Sequence, residues 1–240
     1  MRTRPDARSP WGQRVWFEDS EFDDIMDEIR ARAGASSFAE GNGVDVDEIL
    51  LRVYGISPDY CDLDAGVLGR TLFFADGRMI VQISRGLAEG AGRRDPVMRR
   101  RLRSTTAHEC AHIPLHAHLH LAPASGSLFP EMPPAAARTL CRTEAIDQPR
   151  CVLASDWTEY QANRGMSALL LPKHMVRARV AATLTRMGMA DMQAALRAGS
   201  GEDVIRDMTW AFDVSFEMAF YRLEVLSILP GAGQPELGLR

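Results

Sequence analysis

The chain has 240 residues and a formal net charge of −4 at pH 7, with 46% hydrophobic and 25% charged residues. This is the balance of a soluble globular protein able to bury a sizeable core, and it gives no electrostatic case for nucleic acid or a membrane as the main partner. No run approaches the roughly 18 apolar residues of a membrane span, and Met1 to Arg14 is not followed by the roughly 7–15 apolar residues of a signal peptide, so a cytoplasmic protein is expected.

Residues 1–18 are rich in Arg, Pro and Gly and read as a mostly irregular arm. Ser20 followed by Asp23 predicts an N-cap with an acidic first turn. Phe22, Ile25, Met26 and Ile29 at helical spacing predict a short amphipathic helix that packs on the domain, with docking onto a partner as the alternative. Together these form an N-terminal segment, 1–43. Asp45 and Glu48 open a second helix through Val46, Ile49, Leu50 and Val53, stopped at Gly55. The period then changes to that of strands, Thr71 to Ala75 and Arg78 to Ser84 about Asp76-Gly77, which predicts a hairpin in a two- or three-stranded antiparallel sheet. An edge of that sheet is a place where an extended peptide could add as a strand.

A third helix is expected to begin near Asp95-Pro96 and to contain His108-Glu109-Cys110-Ala111-His112. Residues four apart share a helix face, so His108 and His112 can turn ring nitrogens toward a single ion, while Glu109 lies about 100° round, within reach of a water there. This pattern reads as a zinc hydrolase site with Glu109 as general base. With 6 His in the chain, coincidence would produce the pattern in about one chain per hundred. Cys110 lies off the stripe and reads as a small packed residue. Pro114 is expected to kink or stop the helix by removing a hydrogen bond and crowding the Cys110 carbonyl. His116 is a candidate to sit behind the ligands or to aid the transition state, whereas His118 and His120 read as surface residues. The run from Arg93 to Arg103 reads as a solvated helix face, the alternative being a phosphate-binding patch.

A segment rich in Pro, Ala and Ser, 121–157, interrupts the core as a long insertion, of the kind that is either a functional lid or a mobile insertion. It contains Cys141 and Cys151, whose spacing lacks a paired Cys-x-x-Cys; they read as free thiols, with a second zinc site as the alternative. A helix from Asp156 to Pro172 then puts Glu159 and Asn163 on one stripe and Ala162, Met166, Leu169 and Leu170 on an apolar face. Glu159 is the candidate third ligand, though an acid in a first turn is also favoured by the helix dipole alone.

His108-Glu109-x-x-His112 joined to Glu159-Tyr160-Gln161-Ala162-Asn163 and Leu169-Leu170-Leu171-Pro172 resembles the ImmA/IrrE family of zinc metallopeptidases. The Arg103-Ser104-Thr105-Thr106-Ala107 lead-in is also similar, with Ser104 where the family usually has Phe. So are the His-Ile-Pro-Leu-His continuation and the downstream Phe212-Asp213-Val214-Ser215 with Arg222-Leu223. The resemblance spans roughly 44–229. It implies His108, His112 and Glu159 as ligands of one zinc ion, Glu109 as catalytic base, and a helix-turn-helix repressor as substrate, with regulation of stress or mobile-element genes as the outcome.

The fold expected is α+β and mostly α: a zincin-like metallopeptidase core (44–188) with a small antiparallel sheet, and a helical, helix-turn-helix-like C-terminal unit (189–240). In that unit Trp210, Phe212, Phe216, Ala219, Leu223 and Leu226 are expected to pack two helices, with Ser215 as an N-cap. His116, Tyr160 and Tyr221 are candidates to stabilise an oxyanion, and Asn163 is a candidate to support a ligand. The competing readings are a regulatory or interaction module in which zinc is structural, and a toxin-antitoxin component. A fourth protein ligand on the metal would favour the structural reading.

Overall fold

The computed structural model describes residues 1–6, 9, 12–34, 43–74, 76–92, 95–121, 137–142 and 157–229, with the backbone alone at 121 and 137–142. The chain is mixed α and β, and mostly helical. Among the described residues no helix is long and apolar enough to cross a membrane.

The first correction to the expectations comes at the N-terminus. Residues 1–18 contain an antiparallel pair, β1 (Arg2–Pro5) and β2 (Gln13–Trp16), in the register Arg2↔Trp16 to Pro5↔Gln13. Val15 on β2 is fully buried and belongs to the main hydrophobic cluster. Helix α1 (Asp19–Ala33) begins earlier than Ser20 would have it, because the Glu21 carboxylate accepts from the Glu18 N–H at 2.8 Å. Its face of Phe22, Met26 and Ile29 is buried, as the helical spacing predicts. Asp23 is not a solvent-facing acid: it is buried in an ion pair with Arg222.

Helix α2 (Val46–Ile49) is capped at Asp45, whose Oδ1 accepts from the Glu48 N–H at 3.0 Å, and it runs on as a π turn, Leu50–Tyr54, to Gly55. The sheet that follows has four strands in the order β3 (Asp59–Cys61), β5 (Met79–Ser84), β4 (Val67–Phe73), β6 (Ala137–Arg142). It differs from the expected sheet in three ways. β3 is parallel to β5, so the sheet is mixed. The β4–β5 turn is wider than Asp76-Gly77, since Phe73 pairs with Met79 and Phe74 N–H donates to Arg78 O. The segment 121–157 contains β6, which pairs antiparallel with β4, so the edge strands are β3 and β6.

A short helix α3 (Arg85–Gly92) leads to the long helix α4 (Pro96–Leu121). Asp95 opens α4 by accepting from Val97 N–H at 2.8 Å. Contrary to expectation, α4 continues through Pro114 to Leu121. A proline forfeits one backbone bond, but Ile113, Leu115 and Leu119 around it are buried, and that burial keeps the turns after Pro114 helical.

Helix α5 (Trp157–Leu170) packs along α4 and is buried over nearly its whole length. The approach is close at Gly165, where a Cβ would lie 2.9 Å from Ala111 Cβ and 3.1 Å from Leu115 Cδ1. Two buried arginines hold the C-terminal end of α5. Arg30 of α1 donates to the carbonyls of Ala168 (2.7 Å) and Leu169 (3.1 Å), and Arg222 donates to that of Leu171 (2.9 Å).

Helices α6 (Lys173–Arg186), α7 (Met192–Arg197), α8 (Gly201–Phe212) and α9 (Phe216–Val225) complete the described chain. Ser215 caps α9 as its sequence suggests, accepting from Met218 N–H at 3.2 Å. Phe212, Ala219, Leu223 and Leu226 are buried, but Trp210 is 81% exposed and takes no part in the core. The basic run is not simply a solvated face. Arg99, Arg100 and Arg103 converge on the Asp213 carboxylate at 2.7, 3.1 and 3.2 Å, and Arg103 also donates to the carbonyls of Asp213 and Val44. The run therefore ties α4 to the α8–α9 turn.

Candidate metal centre

Helical periodicity puts His108 and His112 one turn apart on α4, and the packing of α5 against α4 brings Glu159 up to them. His108 Nε2 lies 3.0 Å from Glu159 Oε2 and 3.0 Å from His112 Nε2, and His112 Nε2 lies 3.4 Å from Glu159 Oε1. One donor atom from each of the three residues falls within 4.8 Å of the other two, a group that could hold a metal ion. Both histidines are fully buried, whereas the Glu159 side chain is 20% exposed.

The supporting contacts favour a cation at this point. Asn163, one turn along α5 from Glu159, accepts from His108 Nδ1–H at 2.9 Å. With the proton on Nδ1, the Nε2 lone pair of a neutral His108 faces Glu159 and His112. A positive charge between that lone pair and the carboxylate, either a proton on Nε2 or a metal ion, relieves the repulsion. Two imidazole nitrogens and a carboxylate are a donor set that suits zinc. Burial lowers the proton affinity of His108, but the hydrogen bond and charge of Glu159 outweigh it and the net direction is upward. His112 is driven well below the usual histidine range by burial, with neighbouring histidines adding to it.

Glu109 reaches across to the sheet. Its Oε2 accepts from Thr71 Oγ1 at 2.7 Å, and the same hydroxyl lies 3.1 Å from the Glu109 carbonyl. Its Oε1 is buried without a hydrogen-bond partner among the described residues. Burial pushes the carboxyl up to about 8, against the downward pull of His108 and Thr71. The strand face opposite is shaped to fit. Val67, Gly69, Thr71 and Phe73 alternate inward along β4, and a Cβ on Gly69 would stand 2.9 Å from both Cγ and Oε1 of Glu109.

His116 stays on the α4 stripe because the helix survives Pro114, and it lies behind His112, with the two Nδ1 atoms 2.9 Å apart. It is buried against the edge of Trp157, at 5.8 Å between ring centroids, and its Nε2 lies 3.1 Å from Gln161 Oε1. Burial lowers His116 to about 3. His116 thus faces the side of the His112 ring away from Nε2, where it cannot share an ion with the three converging groups. Cys110 is fully buried and its thiol is pushed up to about 12 by burial, in keeping with a packed residue. His118 is exposed, while His120 is half-buried and stacked on Phe73 at 4.4 Å. The Cys141 side chain and Cys151 lie outside the described residues.

The other oxyanion candidates are placed differently. Tyr160 is half-buried, with Arg164 and Tyr221 as its charge neighbours. Tyr221 is buried and accepts from Arg164 at 3.1 Å. Sequence reasoning missed Thr71, Gly69 and Gln161. The first two had a visible signal, because a hydroxyl and a glycine occupy inward positions of an alternating strand; Gln161 had none beyond its place in the ligand helix.

No protein-family model matches the chain, and no curated protein matches its sequence.

Proposed function

We propose that this protein is a cytoplasmic zinc-dependent endopeptidase whose substrate is a helix-turn-helix transcriptional repressor. The observation that carries the reading is the meeting of His108, His112 and Glu159, from two separated helices, with Glu109 one residue from a ligand and one carboxylate oxygen unpaired. His108, His112 and Glu159 would hold the ion. A bound zinc ion supplies Lewis acidity, polarising a carbonyl and bringing the pKa of a water toward about 7.

The protein's own groups supply the rest. Thr71 holds one oxygen of Glu109, and the free oxygen is the proton acceptor for the attacking water. Held by Thr71 and one residue from a candidate ligand, the carboxylate would take that proton and pass it to the leaving amide nitrogen. Asn163 and His116 keep the two imidazole rings in orientation from behind. The substrate class is carried by the motif resemblance, and the geometry supports the reaction type.

A zinc that serves only structure usually has four protein ligands. Among the described residues the converging set has three, which supports the hydrolase over the regulatory or toxin-antitoxin readings. The test is incubation with the repressor encoded beside this protein, with and without a chelator. Cleavage that stops on chelation and is lost in Glu109→Gln at unchanged zinc content is the expected result. Equal cleavage by Glu109→Gln would remove the mechanism, and no cleavage by the parent would return the substrate class to question.

A further inference from the structure

Behind the ligands runs a hydrogen-bonded line whose direction can be worked out from its far end. That end is the backbone carbonyl of Val15 on β2, which can only accept. The Gln161 amide nitrogen lies 2.7 Å from it and must be the donor, so Gln161 Oε1 faces His116. An amide oxygen also only accepts, so His116 Nε2, 3.1 Å away, carries the proton. A neutral His116 then presents a lone pair at Nδ1, and His112 Nδ1, 2.9 Å away, must donate to it. The remaining lone pair of His112 falls on Nε2, the atom that faces His108 and Glu159.

We propose that the Val15 carbonyl, acting through Gln161 and His116, selects the metal-binding tautomer of His112, which makes Gln161 a positioning residue and the N-terminal hairpin part of the metal centre. Val15, Gln161, His116 and His112 are 0, 3, 1 and 0% exposed, so bulk water does not compete for these bonds. The opposite direction along the line would put the His112 proton on Nε2 and block the ligand position. The hairpin holds the line from a second side as well, since Arg14 lies over the Trp157 ring at 6.0 Å and that ring packs on His116.

The inference rests on His108, His112 and Glu159 being metal ligands, and the test separates the two. Long-range nitrogen–proton correlation spectra of the metal-free full-length protein report the imidazole tautomers. The expected result is Nδ1–H for His112 and Nε2–H for His116. Zinc affinity is then read by competition with a chelating indicator in the parent, Gln161→Leu, His116→Gln and the double variant. Gln161→Leu cuts the line and is expected to weaken zinc ~10–100-fold. His116→Gln offers His112 an amide oxygen directly and is expected to weaken zinc less than Gln161→Leu does. In that background Gln161→Leu should cost less than about threefold, whereas a merely structural Gln161 would cost the same in both. A parent His112 carrying its proton on Nε2 overturns the proposal, as does equal loss in the two backgrounds. Should Gln161→Leu fail to fold, the parent spectrum still decides. A parent with no zinc affinity at all overturns the metal-centre reading instead.

Discussion

Replacing Gly69 by alanine tests whether β4 holds Glu109 in place by carrying no side chain there. The added β-carbon would lie 2.8 Å from Thr105 Cγ2 and 2.9 Å from Glu109 Cγ and Oε1, whereas carbon atoms sit best at about 3.5–4.0 Å. Strand or carboxylate must therefore yield by about 0.5–1 Å. They cannot part freely, because Thr71 on the same face of β4 is bonded to Glu109 at 2.7 Å. Misplacement of a reacting group on that scale costs ~10–100-fold in rate. The overpacking itself costs about 1–3 kcal/mol of stability, which a thermal melt reads separately. The Nε2 atoms of His108 and His112 face Glu159 on α5, so if the proposed centre is right zinc content should not change. Single-turnover cleavage of the repressor, with zinc measured by atomic absorption, is the assay; kcat/KM should fall ~10–100-fold at full metal content. Cleavage within twofold of the parent would refute the claim that Gly69 positions the base. Loss of zinc along with activity would refute the separation of base from ligands.

Thr71→Val keeps the shape of the strand face but removes the donor to the Glu109 carboxylate. A hydrogen bond to a charged group is worth ~1.5–3 kcal/mol, so the acid limb of the pH–rate profile should move up by about 1–2 pH units; an unmoved limb would mean that Glu109 is not the group titrating. Arg222→Met strands the buried Asp23 carboxylate and frees the Leu171 carbonyl. A loss of about 3–5 kcal/mol in urea unfolding is expected, largely recovered by adding Asp23→Leu, and a loss below about 1 kcal/mol would show the pair to be dispensable. In metal-free protein, Glu109 holds its proton up to about 8, whereas the unfolded chain releases it in the usual carboxylate range. Its contribution to stability is complete below that range and is lost as pH rises through 8, and the raised His108 adds to the same slope. Between pH 6.5 and 8 unfolding free energy should therefore fall, and Glu109→Gln should flatten the fall; an unchanged slope in that variant would contradict the assigned cause.

What could be read in advance was whatever repeats locally. His108 and His112 share a face because a helix turn is fixed, and Asp45 and Ser215 cap because their side chains reach their own backbone. Glu159 was legible only as half of a two-part motif; its distance from the histidines is set by how α5 lies on α4. Contributions made by long-range packing were not legible. Val15 sat in a stretch whose composition suggested irregular chain, and Asp23 looked like any acid in a first turn until Arg222 was placed beside it. The general rule that proline ends a helix failed at Pro114 because buried neighbours outweigh one lost backbone bond. The arginines from 99 to 103 looked solvated because Asp213, their shared counter-charge, is more than a hundred positions downstream.

The bare backbone at Gly165 has an implication for any family of variants made from this chain. It sits nearly two turns beyond Glu159 and touches none of the converging donors, yet it governs how near α5 can come to α4. A library that randomised only the residues around His108, His112 and Glu159 would leave this gauge untouched. One that admitted even a methyl group at 165 would widen the gap between Glu159 and the two histidines while all three residues remained in place.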